Sequence, residues 1–208
     1  MQKKYFIAAA LIALLAVTLV AIQPAQSENS SPAIPDQAAV EQLADSAVAV
    51  ELKWYTIQEA LKLQETTKKK IFMDVYTTWC GPCKMLDANT FSHPVIKKLL
   101  ADNFIPVKFN AESGDTIVYK GQTFVNPNYT PQPRKSTHQF AIHIASTNQG
   151  LAYPTMVFLD ENGDMIQPLT GYLEPARMEP ILSFFGTDAY KSIAWPDFFN
   201  GFKSAITQ

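Results

Sequence analysis

The two cysteines of this chain, Cys80 and Cys83, stand within Trp79-Cys80-Gly81-Pro82-Cys83-Lys84. At that spacing one sulfur reaches the other across the first turn of a helix. A cysteine at a helix N-terminus faces unpaired N–H groups and the positive end of the helix dipole, so its thiolate is favoured and its pKa falls below the ordinary ~8.5. The chemistry this allows is thiol–disulfide exchange: Cys80 attacks a substrate disulfide, and Cys83 resolves the mixed disulfide by attacking Cys80. Other uses of a Cys-x-x-Cys unit fit less well. Structural zinc needs two further Cys or His ligands. No second cysteine pair exists, and His93, His138 and His143 are scattered, the last two at a spacing that does not share a helical face. Haem attachment needs a histidine after the second cysteine, where Lys84 stands. A purely structural disulfide closing so short a loop removes little unfolded-state entropy.

Such a thiol turn has to be carried between a strand and a helix. Residues 71–76 form a short, nearly all-apolar run, the pattern of a central strand covered on both faces, interrupted by one carboxylate, Asp74. Upstream, Leu52-Lys53-Trp54-Tyr55 predicts a short strand. Thr56-Ile57-Gln58-Glu59 is a capping box that opens a helix to about residue 68, with Lys68, Lys69 and Lys70 at its end to complement the dipole. After the cysteines, residues 84–90 continue a helix. A second helix restarts at Ser92-His93-Pro94, with Ser92 as its cap and Val95, Ile96, Leu99 and Leu100 on the buried side. A strand follows at 104–109, then alternation around Lys120-Gly121 that predicts a hairpin, and a Pro-rich loop over 126–133. A helix over 137–147, a strand over 153–159 begun by Pro154, a turn, a partner strand over 165–169 and a helix over 175–185 complete the pattern. Strands and helices alternate first and an antiparallel hairpin closes the sheet, which makes the fold class α/β, with a central mixed β-sheet flanked by helices.

With 208 residues, 47% hydrophobic and 12% aromatic, the chain builds one sizeable core. A net charge of −2 with 17% charged residues supplies no electrostatic footprint for nucleic acid, which leaves proteins and small molecules as partners. At the N-terminus, Lys3 and Lys4 precede an apolar stretch 18 residues long, Tyr5 to Ile22, and Ala25-Gln26-Ser27 offers small residues where a signal peptidase reads. Residues 1–27 therefore read as an export signal or, uncleaved, as a membrane anchor. Residues 28–50 read as a linker with a weak helix around 38–47, and 51–186 as the folded domain with an insertion over about 111–136. Residues 187–208 carry Trp195, Phe198, Phe199 and Phe202 and are expected to pack back on the domain.

From residue 52 to residue 185 the chain resembles the thioredoxin family. The segment Trp79-Cys80-Gly81-Pro82-Cys83-Lys84 is similar to that family's active-site signature, and Asp74 and Lys108 fall where thioredoxins keep a buried acid and the lysine beside it. Tyr153-Pro154-Thr155 resembles the cis-proline segment that faces the cysteines, and Gly171 the glycine after the last strand. The stretch Asn89-Thr90-Phe91-Ser92-His93-Pro94-Val95 and the long connection after Asn110 look more like exported thioredoxin-like reductase domains than like cytosolic thioredoxin. Ala88 departs from the pattern, standing where thioredoxin has a helix-kinking proline.

The resemblance implies a thioredoxin fold with an inserted hairpin and loop and a C-terminal aromatic extension. It also implies a periplasmic or secreted thiol-disulfide oxidoreductase that reduces protein disulfides without a bound cofactor or metal and is recharged by a membrane-bound thiol relay. The implied catalytic groups are Cys80, Cys83, Asp74 and Lys108, with Cys80 exposed and Cys83 covered. Trp79, Gly81, Pro82, Tyr153 and Pro154 are the implied substrate contacts. A disulfide oxidase or isomerase, and a protein-binding or assembly module that keeps the fold, are the alternative readings.

Overall fold

The computed structural model describes residues 51–134 and 136–206; the segments read as export signal and linker lie outside the described residues. Strand β1 (Lys70–Tyr76) runs parallel to β2 (Phe104–Asn110) on one side and antiparallel to β5 (Thr155–Leu159) on the other, and β5 pairs with β6 (Met165–Thr170). The order β2-β1-β5-β6 makes a mixed sheet with β1 inside it. A separate hairpin, β3 (Ile117–Tyr119) and β4 (Gln122–Phe124), stands in the insertion. The helices are α1 (Ile57–Thr67), α2 (Gly81–Met85), α3 (Pro94–Asn103), α4 (Gln139–Ala145), α5 (Pro175–Gly186) and α6 (Trp195–Gly201). Among the described residues no helix is long and apolar enough to cross a membrane.

Period-two alternation sorts the strand side chains into two cores. Ile71, Met73 and Val75 of β1 join Val157 and Leu159 of β5 under α1 and α4. Phe72, on the opposite face with Phe104, Met156 and Phe158, packs under α3 and α5. Phe72 meets Phe91, Phe104 and Phe158 edge-on at centroid distances of 5.7, 6.2 and 5.3 Å, an arrangement that aromatic quadrupoles favour. The apolar run of β1 is thereby explained, since both of its faces are covered.

Several local expectations are corrected. The strand expected at residues 52–55 shrinks to a single bridge between Tyr55 and Val107. Tyr55 donates its N–H to the Pro106 carbonyl and accepts from the Lys108 N–H, but Pro106 has no N–H to offer Lys53, so the ladder ends there. The capping box at Thr56 and Glu59 is present, whereas the lysines after α1 do not serve its dipole. Lys68 takes a left-handed cap conformation, and Lys70 is buried at the start of β1, bridging Glu161 at 2.9 Å and Asp188 at 2.8 Å. That network ties β1 to the β5–β6 turn and to the segment after α5. His93, not Ser92, caps α3: its ring nitrogen accepts the Val95 N–H while the Ser92 hydroxyl donates back to Ala88. The helix after the cysteines continues past Met85 as a π turn, Leu86–Phe91, which sets Leu86, Thr90 and Phe91 inward.

The insertion is more than a surface appendage. Ile117, Tyr119 and Phe124 of its hairpin belong to the core beneath α4, where Tyr119 and Phe124 each meet the Phe140 ring. Buried His138 braces it further, accepting the Phe140 N–H at one ring nitrogen and bonding the Asp115 carbonyl with the other. At the C-terminus, Trp195 and Phe198 pack on Phe184 at 5.2 and 5.0 Å, and buried Glu179 accepts the Ala205 N–H, so the aromatic tail folds back as expected. Phe199 stays exposed.

Because Phe124 is a buried core residue, Phe124→Ala is expected to cost about 3 kcal/mol in urea denaturation, in the usual range for truncating a core phenylalanine. A loss below ~1 kcal/mol would show the hairpin to be peripheral to the fold.

Candidate active site

Strand β1 ends at Tyr76, and four residues later Cys80 becomes the N-cap of α2, where its extended backbone turns into the helix. Pro82 sits in the first turn, where a missing N–H costs nothing. Cys80 and Cys83 are joined by a disulfide, and the Cys83 N–H points at the Cys80 sulfur at 3.1 Å. This is the donor a thiolate at Cys80 would use. The expectation of an exposed Cys80 above a covered Cys83 is not met in this state. Both are buried in the disulfide-bonded pair, at 3% and 2% exposure. The accessible surface is offered instead by exposed Gly81 and Pro82 and by Trp79, which is 37% exposed.

Trp79 is held from three directions. Its indole N–H donates to Glu112 Oε2 at 3.0 Å, the Tyr153 ring meets it edge-on at 6.0 Å, and the Arg134 guanidinium lies 4.6 Å from its ring centroid. The Tyr153 contact draws the segment before β5 alongside the cysteine turn, and the Tyr153–Pro154 peptide bond is cis, as the resemblance implied. The Pro154 carbonyl accepts the Gly171 N–H at 2.8 Å. Gly171 does this at φ +102°, a conformation that favours glycine.

Asp74 is fully buried, and the parallel register of β1 and β2 sets it directly beside Lys108. The Lys108 ammonium donates to Asp74 Oδ2 at 2.6 Å and also reaches Asp87, carried by the π turn. The rings of Trp54, Phe91 and Tyr76 lie 4.8, 4.9 and 5.4 Å from it, within the reach of cation–π attraction. Burial pushes the Asp74 carboxyl up to about 6; the Lys108 charge opposes the rise and the Asp87 charge adds to it. The second oxygen, Oδ1, is buried without a hydrogen-bond partner. The group is therefore equipped to accept and release a proton near neutral pH.

The nine residues singled out from the sequence fall into two groups, one along the cysteine turn, where Tyr153 meets Trp79 next to the cis Pro154, and one around the Asp74–Lys108 pair. Glu112, Arg134, Asp87 and Trp54 were not foreseen as members. Glu112 and Arg134 lie in the insertion, and nothing local marks them; only the fold brings them to Trp79.

Over residues 57–186 the chain matches a family described as a thioredoxin-like domain. Among curated proteins it is 36% identical over 58 residues to an uncharacterized protein of Archaeoglobus fulgidus, covering 28% of this chain and 46% of that one. It is 26% identical over 136 residues to an uncharacterized protein of Caenorhabditis elegans, covering 64% of this chain and 16% of that one. The chain thus spans about half the length of the first relative and about a sixth of the second. Similar solved structures include a thioredoxin from Thermus thermophilus, 18% identical with a TM-score of 0.47, covering 74% of this chain and 98% of that one. A putative disulphide-isomerase from Bacteroides thetaiotaomicron is 25% identical with a TM-score of 0.43, covering 68% and 95%.

The raised pKa of Asp74 carries a stability cost with a definite sign. Between an unfolded value near ~3.9 and the folded value of about 6, the folded chain holds a proton that the unfolded chain has lost. Stability therefore falls as pH rises through that window, and the cost is complete above it. Asp74→Asn is expected to stabilise the protein by on the order of 2 kcal/mol at pH 8, a gain that fades toward pH 4. Denaturation midpoints across that range check it; a variant less stable at pH 8 would show that the Lys108 pairing outweighs desolvation.

Proposed function

Since the chain belongs to the thioredoxin-like domain family, we propose that it is an exported thiol-disulfide oxidoreductase that reduces disulfides of client proteins. The observation that carries this reading is the Cys80–Cys83 disulfide at a helix N-terminus, with the Cys83 N–H aimed at the Cys80 sulfur. In the reduced enzyme the Cys80 thiolate attacks one sulfur of the client disulfide. A Cys80–client bond forms and the other client sulfur leaves as a thiolate, which takes up a proton. Cys83 then loses its proton and attacks Cys80, closing the Cys80–Cys83 bond and releasing the second client thiol. The client gains two electrons and two protons, and the enzyme is left with its disulfide.

Asp74 is the acceptor for the Cys83 proton, through a water at its unpartnered Oδ1, because a buried thiol becomes a nucleophile only if its proton has somewhere to go. A carboxyl with a pKa of about 6 takes that proton near neutral pH and gives it up again. Lys108 is a positioning residue that fixes the carboxylate and limits the rise in its pKa. Trp79, Gly81, Pro82, Tyr153 and Pro154 form the surface on which an extended client chain lies.

Gly-Pro between the cysteines resembles reducing thioredoxins, whose potentials lie near about −270 mV, rather than strong oxidants near about −120 mV. The direction is therefore reductive. Turnover then needs a source of two electrons, which in an oxidising compartment is a membrane-bound thiol relay. Export rests on Lys3 and Lys4 ahead of the apolar stretch and on Ala25-Gln26-Ser27 after it, which support a site of action in the periplasm or outside the cell, with the protein freed by cleavage or held by the uncleaved segment.

Insulin reduction driven by dithiothreitol tests the reading. The wild type is expected to accelerate it, Cys80→Ser and Cys83→Ser to abolish the acceleration, and Cys83→Ser to accumulate mixed disulfides on Cys80. Asp74→Asn is expected to slow the reaction at least about tenfold at pH 7 and to flatten the rise in rate around pH 6. A wild type with no activity would leave a protein-binding module that keeps the fold; trapping that needs Cys83 and survives Cys80→Ser would reverse the roles of the two cysteines.

A further inference from the structure

The insertion brings to the cysteine face a charged side chain that the exchange reaction does not use. Arg134 holds a positive φ of 65°, a conformation that a residue with a Cβ adopts only when its surroundings impose it. Here they do. Its backbone N–H donates to Glu112 Oε1 at 2.6 Å, while Glu112 Oε2 accepts the Trp79 indole N–H at 3.0 Å. The guanidinium is stationed over the Trp79 ring. Both oxygens of Glu112 are thus occupied, whereas among the described residues neither a carboxylate nor any other acceptor pairs with the Arg134 guanidinium. That exposed side chain opens on a cleft of about 510 Å³ whose walls are Trp79, Tyr153, Asn128, Ser136, Thr137 and Glu112, the last with both carboxylate oxygens already engaged by the Trp79 and Arg134 N–H groups.

We infer that this cleft is a subsite for an acidic side chain of the client, one or two residues from the cysteine under attack, and that Arg134 is the residue that selects it. The inference rests on the disulfide-exchange reading above and adds the class of client. Trp79 adjoins Cys80 in sequence and walls the cleft, so an extended client chain, advancing ~3.3 Å per residue from the cysteine under attack, carries a neighbouring side chain toward it. A planar guanidinium with free donors matches a carboxylate bidentately, and stationing it over an aromatic ring reduces the freedom it loses on binding. The Ser136 hydroxyl and the Asn128 amide supply further donors around the same space. Because the pair forms at an exposed site, its contribution is modest and salt-sensitive.

The test separates the subsite from the redox reading. Full-length oxidised protein is titrated with three otherwise identical peptides that carry Ser in place of the reacting cysteine and Glu, Gln or Lys two positions away, with the Trp79 indole N–H resonance as the readout. The Glu peptide is expected to bind about fivefold tighter than the Lys peptide at low salt. Arg134→Gln brings that ratio to about one, Arg134→Glu inverts it, and Arg134→Lys keeps part of it. Equal binding of the Glu and Lys peptides by the wild type, or a ratio untouched by Arg134→Gln, overturns the inference. Wild-type turnover on a disulfide-bonded version of the Gln peptide is measured beside it; failure there removes the reductase reading, while the binding ratio still decides the subsite.

Discussion

A carboxyl group with no exposed surface, set in an inner strand of a sheet, constrains everything built around it. Removing a charge from water costs several kcal/mol unless a partner meets it, so Asp74 needs a cation at a fixed position. The parallel pairing of β1 with β2 provides one by setting Lys108 beside it. Lys108 in turn draws in Asp87 from the π turn and stands among Trp54, Tyr76 and Phe91. Two strands, the segment before α1 and the helix that carries the cysteines are thereby tied to one ammonium group. A shift of β2 by one residue would send Lys108 to the opposite face of the sheet and leave Asp74 unpaired.

This arrangement is costly to the fold in the way functional sites often are. Lys108 does not fully offset desolvation, and the Asp74 pKa stays raised. An apolar residue at position 74 would suit a strand whose neighbours are Met73, Val75 and Phe72. What the acid supplies is a buried carboxyl with a pKa of about 6, close in sequence to the cysteine pair. The aromatic cluster around Phe72 supports the same face of the sheet.

The insertion works on both sides of the domain at once. Its hairpin sends Ile117, Tyr119 and Phe124 into the core with α4, and its ends deliver Glu112 and Arg134 to Trp79. Buried His138 links the two ends by bonding to the Asp115 carbonyl and capping α4. A loop anchored in this way is rigid enough to hold an arginine in a left-handed conformation. The insertion thus sets a carboxylate and a guanidinium beside Trp79.

Much of this molecule was legible along the chain, because the signals are local. The capping box at Thr56 and Glu59, the cysteine spacing at the start of a helix, the apolar runs of β1 and β5 and the turn at Lys120-Gly121 each depend on residues within a few positions of one another. The Asp74–Lys108 pairing could be expected only through resemblance to a family, since its partners lie 34 residues apart and meet through a strand register. Where local reading failed, a distant group intervened. Pro106 cut short the strand expected at 52–55 by lacking an N–H, and Glu161 and Asp188 took Lys70 from the helix end and buried it. Cys80 is buried in the disulfide-bonded pair, and Glu112, 33 residues from Trp79, joined Arg134 to that ring. Propensity, capping and period-two burial act over one or two turns of chain, and so the sequence alone determined the elements and the chemistry of the cysteine pair. Ion pairs, ring contacts and clefts arise between segments that only the closed fold brings together, so the environment of Asp74 and the shape of the surface around Trp79 were decided by tertiary structure.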